Sequence, residues 1–308
     1  MFDRKRRTFS HTTVVDASVE QVWDVVGDWK AMYWIVTGSV LALPVPDLPT
    51  GVGAVTCCWQ RASDGAVRAG VCEVVEFEPL RAIVLLERQR PEANSRIGFD
   101  LEAASDGTRV QISVSECMYR YEWGRRGEGV TERFLRRLAE GLEVALANEA
   151  PGPHDVQTLV LQADSHSAQA VHEVQIEAPP DDIWPVVQQE EGALLVGPEL
   201  EKQWFARQDG RDLQVQMIRT SDGGMSCAFQ QILRPDPFRL VVRGPQIEID
   251  HQVLPVTNAS LLRLTHRWNP RAVSAQLVHE SAERWLAAVK ALAEGGVPPP
   301  AVPVDEAG

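Results

Sequence analysis

Hydrophobic and polar positions follow one pattern in two separate parts of the chain. A strand-like alternation runs into an apolar segment at residues 11–26, and the same pattern returns at residues 172–187. A Ser-Asp-Gly turn followed by a second, proline-containing turn lies at residues 63–81 and again at residues 221–239. Because the matches occur in one order, they predict that the chain is an internal duplication of one module.

Each copy begins with a strand that runs into a short helix. In the first copy, Ser18 and Gln21 have the spacing of a capping box. The apolar positions that follow share one helical face, and they are Val19, Val22, Trp23 and Val26. The matching helix of the second copy contains Pro185, which we expect to kink or shorten it.

Further strands and one long amphipathic helix complete each copy. Asp-Gly pairs predict hairpin turns at residues 64–65, 106–107 and 222–223. Apolar residues then recur at helical spacing near the end of each copy, and we expect these stripes to cover the sheets. The stripes are Val130, Phe134, Leu138, Leu142 and Ala145 in the first copy, and Leu277, Ser281, Trp285, Ala288, Val289 and Leu292 in the second.

The length of 308 residues suits two domains of ordinary size. We predict a first domain at residues 1–150 and a second at residues 170–295. The linker at residues 151–169 opens with Pro-Gly-Pro. We expect residues 296–308, which are rich in proline, to form a disordered tail.

Charge and cysteine content narrow the classes of partner. The formal charge of -13 argues against nucleic acid, because phosphate would be repelled. No apolar run approaches the roughly 20 residues of a membrane span, so we expect no membrane insertion. The five cysteines show no CxxC spacing, which indicates reduced thiols in a cytoplasmic protein. No cofactor or metal motif occurs, so we predict neither, while the oligomeric state stays open.

Alternation along the strands predicts which side chains face the concave side of each sheet. Apolar side chains dominate these sets, and the polar members among them stand out. The candidate ligand-binding residues are Cys57, Trp59, Glu73, Phe99 and Glu116 in the first copy, and Phe229, Gln231 and Trp268 in the second. Because an unpaired buried carboxylate is costly, we expect Glu73 and Glu116 to have a partner or to lie at a cavity mouth.

Two histidines distinguish the second copy from the first. Phe99 and Val114 of the first copy correspond to His251 and His266 of the second. Pairing across a turn near residues 256–258 would place both imidazoles diagonally on one face, within reach of one ligand. His251 and His266 are therefore candidate acid–base catalysts. The alternative is that each is a core residue held by a hydrogen bond.

The order of strand, short helix, antiparallel strands and long helix resembles the helix-grip fold of the START/Bet v 1-like superfamily, also called SRPBCC. The openings DASVEQVWDVV and IEAPPDDIWPVV are similar to that superfamily's usual first strand and helix. The resemblance covers nearly the whole chain outside the linker and tail. It implies an α+β fold of two tandem helix-grip domains, each a curved antiparallel sheet wrapped around a long C-terminal helix.

Two tandem copies resemble the di-domain aromatase/cyclases of bacterial aromatic polyketide pathways. Those enzymes typically carry a Trp and an Arg on the fourth strand, where this chain has Arg68 and no Trp. Alternation places Arg68 on the face opposite the apolar side chains. The resemblance implies that the cavities bind a hydrophobic, polyketide-like small molecule and that the protein is a cyclase/aromatase-like enzyme. The alternatives are a carrier, sequestering or self-resistance protein, and an interaction module of the chaperone-activator kind.

Overall fold

The computed structural model describes most of the chain. The described residues are 4–28, 35–36, 41–61, 66–88, 95–119, 128–147, 156, 159–160, 168–190, 200–220 and 222–297. The predicted turn at residues 64–65 lies outside them, as do nearly all of the predicted linker and tail.

The first seven strands form one antiparallel sheet in the order β1-β7-β6-β5-β4-β3-β2. Helix α1 (Val19–Val26) follows the first strand, and helix α2 (Glu128–Leu146) follows the last. The strands are β1 (Arg4–Val15), β2 (Leu41–Pro44), β3 (Val55–Arg61), β4 (Val67–Glu78), β5 (Ala82–Glu87), β6 (Arg96–Ala104) and β7 (Gly107–Tyr119).

The second sheet repeats this topology in the order β8-β14-β13-β12-β11-β10-β9. Helix α3 (Pro180–Glu190) follows its first strand, and helix α4 (Ala275–Ala293) its last. The strands are β8 (Ala168–Ile176), β9 (Leu200–Gln208), β10 (Arg211–Arg219), β11 (Met225–Asp236), β12 (Arg239–Arg243), β13 (Ile247–Val256) and β14 (Ala259–Trp268). The predicted fold is therefore confirmed: the chain is a tandem of two helix-grip modules.

Each long helix packs on the concave face of its own sheet. In the first module, Leu138 and Leu142 of α2 share a core with Phe99 and Ile112. In the second module, the buried face of α4 meets the equivalent strands through Val278, Ala282, Trp285, Leu286 and Val289. The predicted stripe on α4 was wrong in its first half. Leu277 is 40% exposed, and its neighbour Val278 is buried instead.

A capping box starts the first helix, and a hydroxyl bond to the preceding turn occurs in both copies. The predicted capping box is confirmed, because the Gln21 amide donates to Ser18 Oγ and the Ser18 amide donates to Gln21 Oε1. A buried hydroxyl then fixes the turn after the first strand. Thr108 donates to the Ala17 carbonyl at 2.7 Å, and Ser260 donates to the Ala178 carbonyl at 2.7 Å.

Helix α3 continues through Pro185 and, with 11 residues, is not shorter than the 8-residue α1. The expectation of a shortened helix was therefore wrong. Proline has no amide hydrogen, so Pro185 leaves the carbonyl of Asp181, in the exposed first turn, without its helical hydrogen bond. Water can satisfy that carbonyl, which reduces the cost of the lost hydrogen bond.

The chain divides into two compact units. One comprises Met1–Asp155 with Met217–Cys227, and the other comprises Val156–Gln216 with Ala228–Gly308. The domain boundaries drawn from the sequence stay a prediction. Within the described residues, no helix has the length and apolar character needed to cross a membrane.

Candidate functional site

The first module contains a cavity of about 640 Å³ between its sheet and helix α2. Strands β3 to β6 form one wall and α2 the other. The apolar part of the lining comprises Ile35, Val36, Leu85, Ile97, Phe134 and Leu138. Gly141 lies where a Cβ would stand 3.5 Å from Ile35 Cγ2, so the absent side chain leaves α2 close to that segment.

Polar side chains line the same cavity. Arg68 on β4 and Arg137 on α2 are exposed, so they mark its mouth. Gln60, Glu87 and Ser95 are partly buried in its wall. The cavity thus combines an apolar interior with donors and acceptors that can orient a ligand.

The predicted faces of β3 and β4 were wrong by one residue. Cys58 and Gln60 of β3 line the cavity, paired with Gly70 and Arg68 of β4. Cys57 and Trp59 are buried, but they lie on the opposite face. Arg68 therefore points to the cavity, contrary to the alternation drawn from the sequence.

Cys57, Trp59 and Val71 are buried on the face opposite the cavity, so apolar character alone selects the wrong face. A β-bulge then interrupts the alternation of β4 beyond these residues. The pairing of β4 with β5 shifts register between Val74 and Glu76. Val74 belongs to the core before the bulge, whereas Phe77 packs on the core after it, with its ring 5.3 Å from that of Trp23. The inward set changes from even to odd positions at the bulge, which simple alternation cannot anticipate.

The remaining first-module candidates lie outside the cavity lining. Phe99 is fully buried in the core under α2. Glu73 has a partner, because Arg88 Nε donates to Glu73 Oε2 at 2.6 Å. Glu116 is partly exposed and stands opposite Arg7 in the register of β1 and β7.

The register predicted for β13 and β14 is confirmed. Ile249 pairs with His266 and His251 with Leu264, so both histidines face the core of the second module. His251 is completely buried, and its ring stands edge-on to Trp285 of α4 at 5.0 Å. Its Nδ1 lies 3.3 Å from the Leu240 carbonyl, while Nε2 has no described partner. Neither histidine lines the cavity of the first module.

A histidine cluster joins the edge strand β8 to helix α4. His172 Nε2 lies 2.7 Å from His279 Nδ1, and the rings of His172 and His266 meet edge-on at 5.4 Å. His266 is buried, and its Nδ1 has no described partner. His172 and His279 were missed in the sequence. His172 is two residues from Val174 and four from Ile176, so strand alternation could have placed it on the core face. No pattern in α4 singles out His279.

Burial and mutual repulsion lower the histidine pKa values. Burial lowers the pKa of His251 to about 4, against the opposing effects of the Leu240 carbonyl and Asp250. Burial, followed by the charges of His172, His251 and His279, lowers the pKa of His266 to about 3. Both side chains are therefore neutral in the folded protein near pH 7.

The other second-module candidates are buried at two places in the sheet. Trp268 ends β14 on the same face as His266, opposite Ile247. Phe229 and Gln231 are buried on the face of β11 opposite Ile232, which packs in a core cluster with Leu240. The predicted inward set of β11 was therefore inverted, as in β4. A register shift between Leu233 and Asp236 marks a bulge here as well.

Cysteines and acidic groups form no metal centre among the described residues. The four cysteines whose side chains are described are buried and form no disulfide, namely Cys57, Cys58, Cys72 and Cys227. Cys58 and Cys72 both line the cavity and pack together with Ala42. Cys58 Sγ donates to the Gly70 carbonyl at 3.4 Å.

Residues 6–149 match the family model described as polyketide cyclase / dehydrase and lipid transport. The matched residues lie in the first module. The match spans a little under half of the chain and contains the whole of the cavity described above. No curated protein is significantly similar to the chain.

Solved structures with tandem modules are similar to the chain over nearly its whole length. The di-domain ARO/CYC StfQ from the steffimycin biosynthetic pathway is 14% identical, with 93% of this chain and 98% of that chain covered and a TM-score of 0.35. The di-domain ARO/CYC BexL from the BE-7585A pathway is also 14% identical, with 96% and 100% covered and a TM-score of 0.35. Ara h 8.0201 is 12% identical and covers 47% of this chain and 99% of its own, with a TM-score of 0.37. Matches this distant carry no information about the chemistry of the site.

Proposed function

We propose that the first module binds a hydrophobic, polyketide-like small molecule in the cavity under α2. The observation that carries this proposal is the cavity itself, about 640 Å³ with an apolar interior and a polar mouth. Pockets of roughly 300–1,000 Å³ enclose drug-sized ligands, so a compound of several fused rings suits this volume. The match of residues 6–149 to a family model described as polyketide cyclase / dehydrase and lipid transport supports the same ligand class.

The distribution of polar groups suggests how such a ligand would be oriented. The ring system would lie against Leu85, Ile97 and Leu138. Carbonyl or phenol oxygens would lie toward Arg68 and Gln60, whose side chains donate hydrogen bonds. Burial of apolar ligand surface contributes about 25 cal/mol per Å², so contact between the rings and the apolar wall would be the main source of affinity.

Cyclisation of the bound molecule is a second candidate function. Arg68 and Glu87 favour it, because they bring a donor and an acceptor to one apolar cavity where a folded polyketide could react. The catalytic role of His251 and His266 stays a prediction. His251 is completely buried and stands against α4, so contact with a substrate would need that helix to move.

The test is one incubation of the purified protein with a panel of polyketide-like aromatic and polyene compounds. Mass spectrometry would measure retained and converted species together. Ile97→Trp places a large side chain in the cavity, and Val171→Trp makes the same kind of change at an exposed position of β8 as a matched control. Circular dichroism would verify that each variant is folded.

We expect retention by the wild type and by Val171→Trp, and at least a tenfold loss (about 1.4 kcal/mol) in Ile97→Trp. Retention that is equal in all three proteins would contradict a ligand site in this cavity. Conversion lost in Arg68→Met, with retention kept, would support cyclisation in the first module. Conversion lost in His251→Phe/His266→Val instead would place the chemistry in the second module.

A further inference from the structure

The second module gathers four histidines around one end of helix α4. They come from three strands and the helix, and they are His172, His251, His266 and His279. His279 is exposed, His172 is partly buried, and His266 and His251 are buried. The series therefore runs from the solvent into the core.

The contact between His172 and His279 depends on protonation. Their nitrogens, 2.7 Å apart, form a hydrogen bond in which one ring donates and the other accepts. When both rings carry a second proton, neither nitrogen can accept, and two positive charges meet at the same place. The bond then becomes a repulsion.

Two hydrogen bonds of a different kind join the C-terminal end of α4 to the end of the edge strand. Lys290 Nζ donates to the Gln175 carbonyl at 2.7 Å, and the Glu177 amide donates to Glu294 Oε1 at 3.2 Å. A lysine and a backbone amide keep their protons throughout the range in which histidine titrates. The polar bonds at the C-terminal half of α4 therefore depend little on mild acid. At the N-terminal half, which also buries Val278 and Ala282, the described polar bond to β8 is the imidazole pair.

Few charges near the cluster could compensate for added protons. Burial, followed by the charge of His279, lowers the pKa of His172, and Glu283 on α4 opposes this effect without outweighing it. From β13, Asp250 acts on His251. On the outer face of the sheet, Glu173 already bonds to Arg263.

Two further elements pack near the cluster without supplying an opposite charge to it. Glu248 of β13 is held by Arg243 and Arg267. Helix α3, which also packs on α4, contributes Ile183 and Val187 to the core. The acidic first turn of α3 is exposed.

We propose that His172, His266 and His279 form an acid-sensitive latch that holds the N-terminal half of α4 on the edge strand β8. Protonation breaks the His172–His279 bond and sets two like charges against each other beside the buried, neutral His266. The helix half lifts from β8 while its C-terminal half stays attached, which opens the core of the second module to solvent. The latch closes again when the protons are lost.

Hydrogen exchange measured by mass spectrometry on the full chain tests this proposal. Exchange at pH 7.5 and pH 5.5, corrected for the intrinsic rate, would be followed in peptides from residues 275–284 and 285–293. His172→Gln and His279→Gln each keep a polar side chain without a titrating ring. His11→Gln is the matched control, because His11 holds the place of His172 in β1 of the first module.

We expect the wild type to lose protection at residues 275–284 by at least about tenfold on acidification, because one linked proton changes an equilibrium by up to tenfold per pH unit. Residues 285–293 report the destabilisation that the buried histidines impose on the whole module, so their loss should be at least about threefold smaller. This difference between the two segments should disappear in both cluster variants and persist in His11→Gln. Unchanged protection in the wild type, or an equal loss in all variants, would overturn the latch. A loss of equal size at residues 275–284 and 285–293 would also overturn it, since that pattern is unfolding of the whole module. If one variant fails to fold, the other still decides the outcome.

Discussion

Replacing the two buried histidines should weaken the acid sensitivity of the second module. The substitutions His251→Phe and His266→Val install the residues that the first module carries at these places, Phe99 and Val114. Both counterparts are buried in a well-packed core of the same topology. The changes therefore remove titration while keeping an apolar side chain that this fold accepts.

The magnitude follows from the difference between folded and unfolded pKa values. In the unfolded chain, each imidazole binds its proton near the ordinary value of 6.5, whereas the folded His251 does so near 4 and the folded His266 near 3. The unfolded state binds more protons between these values, so the free energy of unfolding falls as the pH falls below 6.5. Between pH 7 and pH 5, each histidine contributes a loss of about 2 kcal/mol.

Urea denaturation of the full chain at pH 7 and pH 5, followed by far-UV circular dichroism, measures this loss. The wild type should lose about 4 kcal/mol more than the double variant, and each single variant should lie between them. His11→Gln should behave as the wild type does. An equal change with pH in the wild type and the double variant would show that the histidines are not buried as neutral groups.

Three substitutions test the local structure of the first module by urea denaturation. Gly141→Ala should stabilise α2 by about 0.5–1 kcal/mol, because the new Cβ meets Ile35 at an ordinary 3.5 Å; a net loss would mean that this approach is tighter. Gly107→Ala should lower the free energy of unfolding by at least about 2 kcal/mol, because φ is 132° and a Cβ would stand 2.0 Å from the Val15 carbonyl oxygen. An unchanged urea midpoint would contradict this backbone conformation at Gly107. Ser18→Ala should cost about 1 kcal/mol and Ser18→Thr less, since only the second keeps the capping oxygen; equal losses would remove the capping explanation.

The sequence was sufficient for topology and for one hairpin register. Buried and less buried side chains alternate along most of strand β14. The turn before it contains Asn258 with a φ of 59°, a conformation that asparagine tolerates. The turn fixes the pairing, and alternation then fixes the faces. The amino-acid pattern alone therefore places both histidines on the core face.

The cavity wall could not be predicted in the same way. Cys57, Cys58 and Trp59 are consecutive and all buried, so β3 offers no polar face to orient it. On β4, Val71 on the opposite face is as deeply buried as Val74 on the core face, so apolar character does not distinguish the two faces. The same holds for β11, where Phe229 on the opposite face is as deeply buried as Ile232 on the core face.

The histidines of the second module are hard to explain as a means of stabilising the core. His251 and His266 are each buried with one ring nitrogen that has no described partner. An unsatisfied buried polar group costs about 1–3 kcal/mol, and Phe99 and Val114 show that the same topology accepts apolar residues without that cost. If stability alone determined these positions, the double variant would be the better core even at pH 7. We therefore expect His251→Phe/His266→Val to be at least as stable as the wild type at neutral pH. What it should lose is the response to acid, which is the property that only the histidines supply.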